Sequence, residues 1–330
     1  MKKIFALLLS AALLVTLLAA CGGGNTTDTD TDTQEPATDA STTQVEEQEP
    51  DTGDASKDDP LNQDEIGEKE LLVVSFGTSY NDSRRETIGA IEKAMQTAFP
   101  DYSVRRAFTS QIIIDHVKDR DGVTIDNVEQ ALERAVNNGV KTLVVQPTHL
   151  MNGLEYEELT DELAKYSDSF EKIAIGDPLL TSDADFEAVM TAITDATKDA
   201  ADGKTAICFM GHGTTADSNS VYSKMQTLLT DKGFNDYYVG TVEATPSLDD
   251  VLAAVQKGSY EKVVLRPLMI VAGDHANNDM AGDEDDSWKS TFEKAGYTVD
   301  CQVEGLGQLE AIQQLFVEHA KAAVASAEVE

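Results

Sequence analysis

The sequence predicts an α/β protein built from two pseudo-symmetric βαβ halves of Rossmann-like form, each around a parallel sheet, with a cleft between the lobes. Three observations carry this expectation. Apolar runs of strand length alternate with amphipathic segments of helix length. The order of these runs and of their punctuation repeats near mid-chain, and the third run of each half aligns with its counterpart without a gap.

The chain begins with "MKKIFALLLSAALLVTLLAA", a dilysine start and a short apolar core ending in small residues, which reads as an export signal over residues 1–20. "LAAC" then has the form of a bacterial lipobox. On this reading Cys21 becomes the lipid-bearing first residue of a chain anchored to a membrane without spanning it, and the protein is an extracytoplasmic lipoprotein. From Asn25 to Glu70 the chain is rich in Thr, Asp, Glu, Gln and Ser, with Lys57 and Lys69 its only cations. So little apolar surface cannot offset the entropy of ordering, and residues 21–69 are expected to be a disordered acidic linker.

The net charge of −35 is only partly the linker's. A globular part that remains strongly acidic repels nucleic acid and draws cations. With Cys21 lipidated only Cys208 and Cys301 are left. There is no CxxC pair, and a single bridge between the two stays open.

In the first half, 70–202, the strands expected are "LLVVSF", "YSVRRAF", "KTLVVQP" and "KIAIG"; in the second, 203–330, they are "TAICFM", "DYYVGTV", "KVVLRPLMI" and "YTVDCQV". Segments such as "RRETIGAIEKAMQTAF", "DNVEQALERAVNNG" and "DADFEAVMTAITDATKDA" carry apolar residues at three and four spacing and read as the connecting helices. "SFGTS" at 75–79 ends the first strand of one half as "GHGTT" at 211–215 ends that of the other. "QPTHLMNGLEY" and "RPLMIVAGDHA" align Pro147 with Pro267, Gly153 with Gly273 and Glu155 with His275. Ligands of such sheets bind beyond the carboxyl ends of the strands, which puts the site in the cleft.

Three candidate metal ligands follow three successive strands of the second half: His212, Glu243 and His275. Two imidazoles and a carboxylate suit a divalent ion of intermediate softness, Co(II), Ni(II), Fe(II) or Zn(II), and leave coordination positions open. The glycines near both histidines are read as letting a bulky ligand approach the backbone. "GHGTTA" also fits a loose dinucleotide fingerprint, but no acidic residue closes a following strand at the right distance and a histidine would point into the phosphate turn, so no nucleotide is expected.

"LLVVSFGTSYNDSRRETIGAIEKA", "RRAFTSQIII", "CFMGHGTT", "VGTVEATPS" and "RPLMIVAGDHANNDMAGDEDDSW" closely resemble the anaerobic sirohydrochlorin cobaltochelatases of the CbiK family, class II chelatases, from Leu71 to about Val317. The resemblance implies the chelatase-type fold and a cobaltochelatase, of the lyase class, that inserts Co(II), or Fe(II), into sirohydrochlorin on the route to cobalamin. It also implies a metal site on His212, Glu243 and His275, with no ATP. The export signal and spacer depart from the family pattern.

With the substrate implied, other residues acquire candidate roles. His212 is the expected base for a pyrrole proton, because an imidazole with a free pKa of about 6.5 can accept and release protons at working pH. Glu243 would offset the cation's charge and His275 complete the ligand set. Gly77, Thr78 and Ser79 are expected to line the opposite wall, and His149 is a candidate accessory ligand or ring contact. Arg84, Arg85, Arg105, Arg106 and Arg266 are candidates for pairing with substrate carboxylates. His116 and His319 fall in helical patterns and read as surface residues, and the acids of "DMAGDEDDSW" read as a helix N-terminus rather than a calcium loop. Two non-enzymatic readings stay open: a lipoprotein capturing a metal, haem or tetrapyrrole for uptake, and one binding an unrelated nutrient. A homo-oligomer is compatible with all of this.

Overall fold

The computed structural model describes residues 51–329; the predicted signal peptide, Cys21 and the linker up to residue 50 lie outside the described residues. Two four-stranded parallel sheets form as expected. In the first, β1 (Lys69–Ser75), β2 (Ser103–Phe108), β3 (Thr142–Pro147) and β4 (Lys172–Ile175) lie in the order β2-β1-β3-β4. In the second, β5 (Thr205–Gly211), β6 (Tyr237–Thr241), β7 (Lys262–Pro267) and β8 (Thr298–Cys301) repeat that order as β6-β5-β7-β8. The central strands are buried on both faces, which is why their sequences are continuous apolar runs rather than alternating ones.

Ten helices connect and cover the sheets among the described residues: α1 (Asn81–Glu86), α2 (Ile88–Ala98), α3 (Gln111–Asp121), α4 (Val128–Asn137), α5 (Leu154–Ala164), α6 (Asp183–Thr197), α7 (Ser220–Asp231), α8 (Leu248–Val255), α9 (Trp288–Lys294) and α10 (Glu310–Val329). Capping boxes at Asn127, Ser182 and Ser247 satisfy the first free N–H groups of α4, α6 and α8 and fix where they begin. None of these helices is long and apolar enough to cross a membrane.

The register shows how closely the halves correspond. Val74 lies beside Pro147 and Met210 beside Pro267, while Ser75 lies beside Phe108 and Gly211 beside Thr241. Counting forward, Phe76 takes the place of His212 and Ser110 that of Glu243, in addition to the Glu155 and His275 match read from the sequence.

The structure corrects three expectations about the fold and its boundaries. First, composition predicts a disordered linker through Lys69, but residues 51–69 pack onto the first lobe. Leu61 is 5% exposed and its carbonyl accepts from Arg106 N–H and Arg105 Nε. The Asp58 carboxylate, 5% exposed, accepts from Arg84 Nε at 2.6 Å and Arg106 Nη1 at 2.7 Å. Second, the boundary expected at 203 gives α10 to the second half, yet this helix returns to pack on β3, β4, α2 and α6. Ile312 and Phe316 of α10 join a core that Leu71, Val73 and Val144 of the first sheet share with Ile207, Phe209 and Val264 of the second. Third, His319 of α10 is not a surface residue: its side chain is 11% exposed, with Nε2 3.0 Å from Asp185 Oδ1 and Nδ1 3.0 Å from the Asp177 carbonyl.

Cys208 and Cys301 are free thiols. Both sit in register with Leu265 on the intervening strand β7. Two strand spacings of about 4.8 Å each separate them, beyond the ~7 Å limit on the Cα separation of a bridge.

Candidate metal centre

His212, Glu243 and His275 follow β5, β6 and β7, so the parallel sheet delivers all three to one edge. Each offers a ligand atom, and these atoms all lie within 4.8 Å of one another. His212 Nε2 is 3.9 Å from Glu243 Oε1, and the two imidazole rings meet edge-on with centroids 4.6 Å apart. All three side chains are substantially exposed, at 48%, 58% and 35% for His212, Glu243 and His275. The donors therefore open outward, where an ion can be taken up and surrendered.

The remaining ring nitrogens fix the orientation. His212 Nδ1 lies 2.9 Å from the Gly213 carbonyl, which can only accept, so this nitrogen carries the proton and Nε2 presents its lone pair. His275 Nδ1 lies 2.8 Å from Asp279 Oδ2, and the same reasoning applies. A carboxylate behind a ligating imidazole holds its tautomer and ring orientation. Sequence reasoning misses Asp279 because it groups this residue with the acids leading into α9; the i,i+4 spacing from His275 is the available signal. His275 caps a π-helical turn, Ala276–Met280, in which Asn277 Nδ2 donates to the Gly273 carbonyl at 2.8 Å and Asn278 Nδ2 to Asp274 at 2.8 Å. Two other acids of that stretch have structural partners, Asp283 with Lys289 and Asp285 with Lys294.

Contrary to the sequence reading, the glycines beside His212 do not clear a path for a ligand. The space a Gly211 side chain would need is filled by the ring of Tyr222, whose hydroxyl accepts from Gly213 N–H at 3.3 Å. Gly213 has φ +90°, a left-handed conformation, and a Cβ there would sit 2.8 Å from Ala244. Both glycines let the protein's own side chains brace the His212 loop from behind. The Glu243 loop is pinned to it: Glu243 N–H donates to the His212 carbonyl at 2.9 Å, and Asn219 links Thr214 N–H to the Thr245 carbonyl.

The segment from β1 into α1 and the loop after β3 meet residues of the second lobe. Ala272 N–H donates to Ser83 Oγ at 3.0 Å, Thr78 Oγ1 would lie 3.0 Å from a Gly273 Cβ, and Ser218 Oγ 3.4 Å from a Gly153 Cβ. Gly77, at φ +103°, packs on the Phe108 ring, and Thr78 is buried with its carbonyl accepting from Arg84 Nη1 at 3.0 Å. The Ser79 carbonyl accepts from Arg120 at 2.6 Å. Phe76, directly before them and directly after β1, is 50% exposed. His149 has both ring nitrogens buried without a hydrogen-bond partner, and burial pushes its pKa down to about 4.

The arginines expected to meet substrate carboxylates are committed elsewhere. Arg84 and Arg106 are buried on Asp58, Arg106 also on Glu92, Arg105 on the Leu61 and Gln63 carbonyls, and Arg266 on Gln302 and Glu304. Arg85 pairs with Asp82 and Glu86. Each finds a carboxylate or carbonyl within its own lobe because an acidic chain with few cations offers many acceptors.

Solved structures share this architecture. SirB from Bacillus subtilis with Fe3+ superposes with a TM-score of 0.56 at 15% identity, covering 80% of this chain and 98% of that one. The sirohydrochlorin chelatase SirB from Bacillus subtilis subspecies spizizenii in complex with cobalt gives 0.55 at 14% identity, with 80% and 98% covered. The fold is that of the two-lobed α/β chelatases.

Sequence narrows the class. Residues 69–325 match the family model described as cobalt chelatase (CbiK). The sirohydrochlorin cobaltochelatase of Salmonella typhimurium is 38% identical over 251 residues, 76% of this chain and 94% of that protein. The sirohydrochlorin cobaltochelatase CbiKC of Nitratidesulfovibrio vulgaris is 30% identical over 260 residues, 78% and 91% of the two chains. The chain belongs to the cobalt chelatase (CbiK) family.

Proposed function

We propose that this protein inserts Co(II) into sirohydrochlorin. The observation that carries the reading is the convergence of two oriented imidazoles and a carboxylate, within 4.8 Å of one another, on the open strand-end edge of one lobe. Family membership names the reaction. His212 Nε2, Glu243 and His275 Nε2 hold the substrate ion and replace part of its water shell. Nitrogen and carboxylate donors bind less firmly than thiolates, so four ring nitrogens can draw the ion away.

Two ring N–H protons must leave as the ion enters. As His212 releases the metal, its Nε2 lone pair becomes free to accept one of them, and solvent-exposed Glu243 carries the other outward. The donor set also suits Fe(II), Ni(II) and Zn(II), with Co(II) the first choice. The assay is the visible spectrum of sirohydrochlorin with purified protein and each metal in turn. His212→Ala is expected to lower the insertion rate at least about 100-fold, as loss of a proton acceptor does. Unchanged turnover by that variant would remove the mechanism, and stoichiometric binding without insertion would favour a capture role.

The lipobox supports a second element of the reading: attachment of the mature chain to the outer side of the cell membrane through Cys21. Labelled fatty acid should then be incorporated into the parent chain and not into Cys21→Ser; a parent chain that takes up no label would refute the anchor.

A further inference from the structure

The internal correspondence of the lobes sets the donor set of one against an apolar set in the other. Large hydrophobic side chains exposed among the described residues are Phe76 at 50%, Ile112 at 81%, Leu154 at 55% and Val136 at 40%. Val136 lies on α4, away from the strand ends. The other three follow β1, β2 and β3 in turn: Phe76 directly after β1, Ile112 in the first turn of α3, and Leu154 opening α5. Their counterparts β5, β6 and β7 deliver His212, Glu243 and His275. Phe76 is in register the equivalent of His212, and Leu154 is one residue before Glu155, the equivalent of His275.

The loops carrying Phe76 and Leu154 reach the metal-bearing lobe. Two residues beyond Phe76, Thr78 Oγ1 lies 3.0 Å from where a Cβ on Gly273 would sit, itself two residues from His275; one residue before Leu154, Gly153 has Ser218 Oγ 3.4 Å from where its Cβ would sit. Meanwhile Arg84, Arg105, Arg106 and Arg266 are buried on internal acceptors and present no guanidinium to a ligand. A tetrapyrrole has a flat conjugated face and carries its carboxylates at the rim. A surface with exposed apolar groups and its strand-end arginines withdrawn matches the face rather than the rim.

We infer that Phe76, Ile112 and Leu154 form an apolar shelf on which the macrocycle rests, with Phe76 the positioning residue that presents the ring nitrogens to the ion on the opposite lobe. This inference rests on the proposed function and adds to it how the substrate is held. It requires that macrocycle affinity come mainly from face contact and respond weakly to salt.

The test uses the full purified chain and metal-free sirohydrochlorin, titrated by absorbance and fluorescence, with Co(II) affinity measured separately on the same preparations. Phe76→Ala is expected to weaken macrocycle binding about 10-fold, the effect of losing one stacked aromatic face, while Phe76→Trp stays within about 3-fold of the parent. Ile112→Ser with Leu154→Ser should weaken it further. Co(II) affinity should be unchanged in all of them, and raising NaCl from about 0.05 to 0.5 M should change parental macrocycle affinity less than about 3-fold, since screening acts on charge pairs. Parental macrocycle affinity in Phe76→Ala, equal loss of Co(II) affinity, or a collapse of binding in salt would each overturn the shelf. If the parent protein itself fails to bind or metallate sirohydrochlorin, it is the proposed function that fails.

Discussion

Removal of the Asp58 carboxylate should destabilise the protein far more than its place before the first strand suggests. Asp58 accepts from Arg84 Nε at 2.6 Å and from Arg106 Nη1 and Nη2 at 2.7 and 3.0 Å. Arg84 and Arg106 are 0% and 1% exposed, and the other carboxylate on Arg106, Glu92, is 2% exposed. Asp58→Ala leaves two buried guanidiniums with one carboxylate between them. Breaking a buried pair from one side costs about 3–5 kcal/mol, a large part of the roughly 5–15 kcal/mol that holds a domain together.

Burial alone would raise the Asp58 pKa, but the bonds and charges of Arg106 and Arg84 outweigh it and hold the carboxyl below its ordinary range. The stabilisation is accordingly present above the ordinary aspartate pKa and is lost as pH falls through the lower folded value. Urea unfolding at neutral pH, followed by circular dichroism and by the emission of Trp288, the single tryptophan, 2% exposed in the second lobe, reads both lobes at once. A loss under about 1 kcal/mol would show that residues 51–61 are not part of the cooperative unit.

Asp279→Asn should weaken Co(II) binding about 10–100-fold with little change in melting temperature, because the 2.8 Å partner of His275 Nδ1 loses its charge; calorimetric titration checks this, and parental affinity would count against the orienting role. Glu70, 2% exposed, has a pKa pushed up to about 7 by burial. The folded state therefore holds a proton that the unfolded state releases between about pH 4.5 and 7, and stability falls as pH rises through that window. Glu70→Gln should remove the slope and stabilise the protein at pH 8 by on the order of 2–3 kcal/mol, read from denaturation at several pH values. Gly211→Ala drives a Cβ into the Tyr222 ring, so the His212 loop must shift and Co(II) affinity should drop; an unaltered titration would show that the brace is not needed.

Much of the fold is legible because the central strands β1, β3, β5 and β7 carry contiguous apolar runs with glycine or proline at or near their ends, and contiguity survives in one dimension. The triad is legible for a related reason: His212, Glu243 and His275 each stand just beyond such a run, and parallel topology alone sends them to one edge. Asp58 and Leu61 are not. Among polar neighbours they look like spacer, and only Arg84, Arg105 and Arg106, distant in the chain, give them a reason to be ordered. The same distance hides the arginines' true partners, since a guanidinium in a sequence carries no sign of which carboxylate satisfies it. Phe76 escapes notice because "SFGTS" reads as the end of a strand, and only the register against "GHGTT" shows that its ring stands where the other half has an imidazole.

The return of α10 to the first sheet makes the second lobe, in topological terms, an insertion: the chain leaves its host after β4 and comes home after β8. Residues at both ends of the described chain thus ride on the same body. Dyes placed at those ends would report on that body alone and be blind to any change in the inserted lobe. A pair of probes sensitive to both lobes must instead span from that body to a position such as Lys257 or Lys294 on the inserted one.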